Sequence, residues 1–224
     1  MEKVFLNSDF YYYKKGTNPR LILHSGTHGD EYEVIDLVVS ACEKHFDLLP
    51  DFVLVPYVSP SAVRQRTRVN GDGDDMNRIF TDSSISEEVK LNMKILNGLK
   101  ADLFVSFHED SGQECFYLYD GGYESDKKAL VEAAMKKIRE EGVCLLNGFD
   151  DPSDPDLGYE FKDGYRFWPR VKDGRKDGSF ITTWSLNEEI TKRAMIPEIP
   201  GKVDASKKNA IINALFELII NWFL

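Results

Sequence analysis

Short apolar runs separated by polar turns recur along the chain and predict strands. The segments Leu21–His24, 52–58 and 103–107 are almost wholly apolar, which is typical of strands buried on both faces of a sheet. The segments 117–119 and 194–199 have a similar character. We therefore expect all five segments to be strands.

Apolar residues at helical spacing predict three helices between these strands and a fourth after the last strand. Their approximate ranges are 31–46, 85–99, 126–141 and 205–223. Ser84 and Glu87 have the spacing of a capping box, Gly142 is a helix-stopping glycine and Asp204 is a candidate N-cap. Strands that alternate with helices indicate an α/β fold, with a sheet covered on both faces and function at the carboxyl ends of the strands.

Two stretches interrupt this alternation. Residues 60–75 are polar and rich in turn residues, and we interpret them as an irregular segment. Residues 147–178 are rich in Asp, Gly, Pro and aromatic residues and are longer than an ordinary loop. We expect this second segment to form a rim that selects substrate, in which Arg166, Arg170 and Arg175 could meet an acidic molecule.

The composition is that of a folded globular protein and narrows the range of partners. The 224 residues are 42% apolar and 29% charged, with a net charge of −10. An acidic chain is a poor partner for nucleic acid, and no stretch reaches the roughly 18 apolar residues of a membrane span. Since a secretory signal is also absent, we predict a cytoplasmic protein. Cys42, Cys115 and Cys144 lack C-x-x-C spacing, and we expect all three to be reduced thiols.

Two histidines and a glutamate form a candidate metal site. His28 and Glu31 are three residues apart where a predicted loop enters a helix, so both side chains can turn toward one point. His108 directly follows a buried strand, at the edge of the sheet where ligands gather. Two imidazoles, one carboxylate and an open position are a recognised catalytic zinc set. We predict that the other histidines, His24 and His45, are structural.

Further motifs occur in a fixed order around these three residues. A His-x-x-Glu pair is followed by an arginine, an Asp-x-Asn-Arg motif with a nearby aromatic residue, a histidine that closes a strand, and a late glutamate. The residues are His28 and Glu31, Arg68, Asp75-Met76-Asn77-Arg78 with Phe80, His108, and Glu198 between two prolines. With this order the chain resembles the M14 zinc metallocarboxypeptidases, which include the related succinylglutamate desuccinylase/aspartoacylase branch.

The resemblance implies a fold and a metal. The fold would be a single zinc-peptidase-like catalytic domain over residues 1–224, with a mixed, mostly parallel twisted β-sheet flanked by helices. His28, Glu31 and His108 would hold one Zn²⁺ per chain. Because Mn, Co and Fe enter similar sites, the physiological metal is left open.

The resemblance also implies roles for residues around the metal. Glu198 would be the general base that takes a proton from water, with Glu109 as the alternative. Arg68 would stabilise the oxyanion of the tetrahedral intermediate, with Arg64 and Arg66 as nearby alternatives. Asn77 and Arg78 would bind the free carboxylate of the substrate, because a guanidinium can donate two parallel hydrogen bonds to it.

Two features depart from the family pattern. Larger members carry a tyrosine on a mobile loop, and this chain has none at the matching place; Tyr159 and Tyr165 are the candidate substitutes. Thr182 falls where the family reads the terminal side chain of the substrate. The sequence therefore predicts neither a deep apolar pocket nor a counter-charge at that place.

The predicted substrate is a small peptide or N-acyl amino acid with a free carboxylate. The short chain favours a metallocarboxypeptidase, such as one that trims cell-wall-type peptides. The alternative is an N-acyl amino acid deacylase of the aspartoacylase/succinylglutamate desuccinylase type, although members of that branch carry a C-terminal β domain for which the predicted last helix leaves no room. A non-catalytic carboxylate-binding protein is the alternative of another class. The sequence predicts no oligomeric state.

Overall fold

Strands and helices alternate in the computed structural model, which describes residues 1–122, 127–151, 158–169 and 180–224. Its strands are β1 (Glu2–Phe5), β2 (Tyr11–Lys15), β3 (Leu21–His24), β4 (Phe52–Val55), β5 (Leu103–Ser106), β6 (His108–Asp110), β7 (Tyr117–Gly122), β8 (Gly148–Phe149), β9 (Glu160–Phe161), β10 (Tyr165–Pro169) and β11 (Arg193–Pro200). Its helices are α1 (Glu33–Lys44), α2 (Pro60–Gln65), α3 (Met76–Ile79), α4 (Glu87–Leu96), α5 (Lys128–Glu140), α6 (Ile181–Asn187) and α7 (Ala205–Trp222). A 3₁₀ turn over Gly29–Glu31 leads into α1.

One mixed sheet organises these elements. Its strand order is β1-β2-β4-β3-β5-β11-β7-β10, and β6 continues beside β11 where β5 has ended. The strands β4, β3, β5 and β11 run parallel to their neighbours in that series, as β10 does to β7. The pairs β1–β2, β2–β4 and β7–β11 are antiparallel. The predicted α/β fold, a mixed and mostly parallel sheet flanked by helices, is confirmed.

The central strands are apolar throughout because they send alternate side chains to two cores. Leu21 and Leu23 of β3 pack with residues of α1, α5 and α7 on one face of the sheet. Ile22 packs with residues of α3, α4 and α6 on the other face. Burial on both faces accounts for the continuous hydrophobic runs in the sequence. The polar residues that follow these strands are thereby fixed at one edge of a rigid sheet.

Two of the predicted helix ends are confirmed and one is wrong. The Asp204 carboxylate accepts a hydrogen bond from the Lys207 N–H at 3.0 Å and caps α7. Helix α5 ends before Gly142, which has a φ of +75°. The capping box is wrong, because α4 begins at Glu87 without a side-chain cap and Ser84 lies in the preceding turn.

The segment 60–75 is more regular than predicted, because it begins with the helix α2. Pro60 suits the first turn of a helix, where its missing N–H is not needed. The Ser59 hydroxyl accepts a hydrogen bond from the Ala62 N–H at 3.4 Å. A proline in the first turn after a serine cap was the sequence signal for this helix.

The segment 147–178 also contains strands. Within it β8 pairs with β9, and β10 adds a parallel strand to the edge of the main sheet beside β7. Tyr165 and Arg166 therefore belong to the sheet. Arg170 and Arg175 lie outside the described residues. The proposed role of this segment as a substrate-selecting rim stays a prediction.

Cys115 and Cys144 form a disulfide, so the prediction that both are reduced thiols is wrong. A β-bridge between Phe116 and Leu145 lays the two segments side by side and brings the cysteine Cα atoms to 4.6 Å. A sequence separation of 29 residues gives no sign of this contact. Cys42 is free and buried, as predicted, and burial raises the pKa of its thiol to about 12.

Among the described residues, no helix has the length and apolar character needed to cross a membrane. The cytoplasmic location stays a prediction. The assignment of residues 1–224 to one catalytic domain also stays a prediction.

Candidate metal centre

His28, Glu31 and His108 meet at the carboxyl edge of the central strands. Because β3 and β5 are parallel neighbours, the segments that follow them leave the sheet at the same edge. Glu31 lies between the two imidazoles, with its Oε1 2.5 Å from His28 Nδ1 and its Oε2 2.9 Å from His108 Nδ1. All three side chains are buried, and their ligand atoms lie within 4.8 Å of one another. This set could hold one metal ion.

The loop that carries His28 depends on two glycines. A Cβ atom at Gly29 would lie 1.8 Å from the Ala62 carbonyl oxygen, so α2 can approach this closely only because the residue is glycine. The Gly29 N–H donates to the Thr67 carbonyl at 2.8 Å. Gly26 has a φ of +63°, in the left-handed region that favours glycine. These constraints fix the backbone at His28.

Each imidazole also has a partner on its outer nitrogen. His28 Nε2 lies 3.1 Å from Asp75 Oδ1, and His108 Nε2 lies 3.2 Å from Ser106 Oγ. Outer partners of this kind fix the ring orientation of metal-binding histidines, and here they leave each Nδ1 directed at the centre. Asp75 belongs to the Asp-x-Asn-Arg motif, but nothing in the sequence pointed to this contact with His28.

The charges of these groups favour a cation at the centre. Burial alone would lower the pKa of His28, but Glu31 and Asp75 outweigh it and raise this pKa to about 9. Burial would raise the pKa of Glu31, yet His28 and His108 bring it well below its usual range. Buried carboxylates such as Glu31 are stabilised by nearby positive charge. A protonated imidazole can supply this charge, and so can a divalent cation. The residues therefore fit a metal ion.

Glu198 lies beside this group of residues. In β11 it is in register with His108 of β6 and with Tyr117 of β7. Burial, followed by repulsion from Glu31 and Asp110, raises the pKa of Glu198 well above its usual range. The residue remains partly exposed. A carboxylate with a raised pKa at such a position is suited to accepting a proton and returning it.

Asp75 brings one predicted catalytic residue, Arg68, and one predicted substrate-binding residue, Asn77, to the centre. Its Oδ2 accepts a hydrogen bond from Arg68 Nε at 3.0 Å and forms an ion pair with Arg68 Nη2, also at 3.0 Å. Its Oδ1 accepts a hydrogen bond from the Asn77 N–H at 2.8 Å. Arg68 and Asn77 therefore share a carboxylate with His28. Arg78 follows in α3, with its guanidinium carbon 5.1 Å from the centre of the Phe180 ring.

Tyr117 and Tyr119 lie near Glu198 and were not predicted from the sequence. The Tyr117 hydroxyl donates to Asp110 Oδ2 at 2.7 Å, and the Tyr119 hydroxyl donates to Asp150 Oδ2. Burial raises the pKa of both phenols well above the usual range. The nearby charge of Glu198 raises both pKa values further. Two tyrosines at alternate positions of a strand were visible in the sequence, but their place beside Glu198 depends on the strand register.

The two tyrosines proposed as substitutes for the family's mobile-loop residue lie further out. The Tyr165 hydroxyl donates to Asp120 Oδ2 at 2.9 Å, and the same carboxylate accepts from Arg193 Nε at 2.6 Å. Tyr165 is therefore held in a buried network of its own. Tyr159 meets the edge of the Tyr119 ring, with the ring centres 6.2 Å apart.

Glu109 and Thr182 are not placed as the sequence suggested. Glu109 Oε1 accepts from Lys208 Nζ at 2.8 Å, and since side chains alternate along a strand, it leaves β6 on the face opposite His108. It is therefore a poor alternative to Glu198 as a base. Thr182 is only 2% exposed in α6 and offers little surface to a substrate side chain.

Several solved structures share this fold. A candidate metallopeptidase from Shewanella denitrificans OS217 superposes with a TM-score of 0.77 over 99% of this chain and 83% of its own, at 21% identity. A metallo-carboxypeptidase from Pseudomonas aeruginosa, in complex with (2-guanidinoethylmercapto)succinic acid, gives a TM-score of 0.59 over 96% and 60%, at 14% identity. A succinylglutamate desuccinylase from Silicibacter sp. TM1040 gives a TM-score of 0.56 over 96% and 60%, at 18% identity. At these identities the likeness shows the fold.

The family follows from the sequence match. No curated protein matches the chain. The profile of the succinylglutamate desuccinylase/aspartoacylase catalytic domain matches residues 17–146, more than half of the chain, and this range includes His28, Glu31, Asp75 and His108. The predicted resemblance is thereby confirmed. The chain belongs to the succinylglutamate desuccinylase/aspartoacylase family, within the wider group related to the M14 metallocarboxypeptidases.

Proposed function

We propose that this chain is a zinc-dependent hydrolase that cleaves an amide bond next to a free terminal carboxylate, acting as a metallocarboxypeptidase. The observation that carries the proposal is the convergence of His28, Glu31 and His108 at one point, with Glu198 in register beside His108. Three buried donor groups and an adjacent, partly exposed carboxylate suit a catalytic metal site that admits water.

The donor set fits one zinc ion per chain. Two imidazole nitrogens and one carboxylate oxygen are ligands of catalytic zinc, and three protein ligands leave a position for water or substrate. When bound, zinc supplies Lewis-acid chemistry that acidifies water and polarises a carbonyl group. The same nitrogen and oxygen donors accept Mn, Co and Fe, so the metal content has to be measured.

Glu198 and Arg68 carry out the proposed chemistry on the protein side. Glu198 accepts the proton that the attacking water loses and returns it to the leaving amine, and its raised pKa suits a group that must hold a proton between these steps. Arg68 stabilises the developing oxyanion. Asp75 fixes one side of its guanidinium, while the side chain stays 46% exposed and free to face a substrate.

Asn77 and Arg78 bind the terminal carboxylate of the substrate in this proposal. They are consecutive in α3, whose start is fixed by Asp75, so their distance from His28 is set by a few rigid contacts. A guanidinium can donate two parallel hydrogen bonds to a carboxylate. The Pseudomonas neighbour is in complex with a succinic acid derivative, which supports a carboxylate-bearing substrate for this chain.

The rim proposed for residues 147–178 would then select the remainder of the substrate. Arg166 lies with its guanidinium carbon 4.3 Å from the centre of the Tyr159 ring. Tyr159 in turn contacts Tyr119 near Glu198. These two contacts lead from the rim to Tyr119, which lies near the proposed base.

A second candidate function is hydrolysis of an N-acyl amino acid. The observation that favours it is the family match, which names the succinylglutamate desuccinylase/aspartoacylase catalytic domain over the residues that carry the proposed ligands. Both reactions hydrolyse an amide beside a carboxylate, and the same residues would serve each. A third possibility of another class is a protein that binds carboxylates without turnover.

A hydrolysis screen separates these functions. The zinc-loaded chain is offered short peptides, cell-wall-type peptides and N-acyl amino acids, each with a counterpart whose terminal carboxylate is amidated, and Glu198→Gln is the control. We expect cleavage of free peptides, little cleavage of amidated ones, and turnover by the control that is lower by at least about two orders of magnitude. Preference for N-acyl amino acids would select the deacylase. Substrate binding without turnover in the wild type would select the binding protein.

A further inference from the structure

A buried lysine of the C-terminal helix joins the two segments that carry the proposed metal ligands. Lys208 lies in α7 and is 2% exposed. Its Nζ lies 2.7 Å from Glu33 Oε2 and 2.8 Å from Glu109 Oε1. Glu33 stands two residues after Glu31, and Glu109 directly follows His108. One ammonium group therefore bridges the start of α1 and the strand β6.

Backbone contacts transmit this bridge to the ligands. The Glu109 N–H donates to Glu31 Oε2 at 3.3 Å, so the backbone of Glu109 faces a proposed ligand while its side chain faces Lys208. The Gly201 N–H donates to the Asp110 carbonyl at 2.8 Å and fixes the turn before α7 to the same strand. The position of β6, and with it that of His108, thus depends on the start of α7.

The ion pair between Lys208 and Glu109 is buried, with side chains 2% and 8% exposed, whereas Glu33 on the same ammonium is 51% exposed. Stability alone does not explain the buried pair. The free energy needed to remove an ammonium from water is commonly as large as the free energy gained from the salt bridge. A protein with apolar residues of similar size in place of the pair is often equally stable. Glu217 of α7 forms a second ion pair, with Lys137 of α5. The side chains of Lys137 and Glu217 are 41% and 49% exposed, and the pair lies away from the proposed ligands. The difference in burial and place indicates a specific role for Lys208.

We propose that Lys208 is a positioning residue of the metal centre. It holds Glu33 and Glu109, and through them the two ligand-bearing segments, at the spacing that binds the ion. The inference rests on the proposed metal site. It adds that α7, which lies outside the matched residues 17–146, takes part in forming that site.

The test measures zinc affinity by competition with a chromophoric chelator. Lys208→Met removes the ammonium, Lys208→Arg keeps a positive charge, and Lys137→Met is the matched control on the exposed pair. Loss of a direct outer partner of a metal ligand lowers affinity about 10- to 100-fold. Because Lys208 acts on the ligands through Glu33 and Glu109, we expect Lys208→Met to lie at the lower end of this range, about 10-fold. Lys208→Arg should recover most of the loss, and Lys137→Met should bind zinc like the wild type.

A double variant keeps the test decisive if Lys208→Met unfolds. Glu109→Gln combined with Lys208→Met leaves no unpaired charge on Glu109, so it should fold, and it should still show the reduced affinity. Full wild-type affinity in the double variant would overturn the inference, because the loss would then come from an unpaired carboxylate.

Further outcomes separate this inference from the proposed function. Equal zinc affinity in a folded Lys208→Met and the wild type would overturn the positioning role and leave the metal site intact. Equal losses in Lys208→Met and Lys137→Met would also overturn it, as a general effect of destabilising α7. A wild-type chain that binds no zinc would overturn the proposed metal site and the positioning role together.

Discussion

Replacing Asp75 with asparagine tests the proposed metal centre at the residue that joins its parts. One oxygen of the Asp75 carboxylate, Oδ1, accepts a hydrogen bond from the Asn77 N–H at 2.8 Å and lies 3.1 Å from His28 Nε2. The other oxygen, Oδ2, accepts a hydrogen bond from Arg68 Nε at 3.0 Å and forms an ion pair with Nη2 at the same distance. An amide has one oxygen only, so in Asp75→Asn the NH₂ group must face either the imidazole N–H or the guanidinium, and both are donors.

The expected loss follows from these contacts. If the amide turns its NH₂ toward His28, the ring loses its outer partner, which costs about 10- to 100-fold in metal affinity. If it turns toward Arg68, a charge-assisted hydrogen bond worth about 1.5–3 kcal/mol is lost, and turnover of the zinc-loaded enzyme falls about 10- to 150-fold. One of the two quantities must therefore change.

Zinc affinity by chelator competition and turnover of the zinc-saturated enzyme distinguish these two cases. Asp72→Asn is the matched control, because Asp72 is an exposed carboxylate in the same loop. An Asp75→Asn chain that keeps both its zinc affinity and its turnover would refute the roles given to Asp75, His28 and Arg68.

The remaining predictions use separate assays. Glu198→Gln should keep its zinc and its melting temperature but lose at least about two orders of magnitude in kcat, because an amide cannot accept the proton of water; retained turnover would move the base elsewhere. Arg78→Lys should raise KM about 10- to 150-fold with zinc content unchanged, since lysine cannot donate two parallel hydrogen bonds to a carboxylate. Arg193→Met leaves the buried Asp120 without its cation and should cost about 3–5 kcal/mol in urea unfolding; a combined Asp120→Asn change should restore part of this loss. Burial lowers the pKa of His24 to about 3 in the folded chain. In the unfolded chain His24 has a pKa of about 6.5, so as the pH falls below this value the unfolded chain protonates His24 before the folded chain does. The free energy of unfolding should then decrease between pH 6.5 and 3 by at most about 5 kcal/mol, and His24→Phe should remove that part of the pH dependence.

The sequence predicted the central sheet because its strands carry their own signal. Leu21–His24 and Leu103–Ser106 are buried on both faces, so nearly every position is apolar and the segments stand out without knowledge of their neighbours. Since such strands run parallel side by side, the residues after them meet at one edge. The spatial convergence of His28 and His108 could therefore be expected from the sequence alone.

Features that depend on register or on long-range pairing could not be predicted in this way. The disulfide between Cys115 and Cys144 requires the bridge between the segment after α5 and the start of β7. The place of Tyr117 beside Glu198 requires the antiparallel pairing of β7 with β11. Lys208 has no local signal at all, because a lysine in the first turns of a helix is an ordinary surface residue until the fold buries it.

The position of β11 explains why the proposed site needs both ends of the chain. This strand lies between β5 and β7, parallel to one and antiparallel to the other, and it continues into the turn before α7. It therefore brings Glu198 beside His108 and leads directly to Lys208. The three proposed ligands come from the earlier part of the chain, whereas the proposed base and the positioning lysine come from the later part. A change that loosens β11 should consequently impair turnover and metal affinity together, even where every ligand is intact.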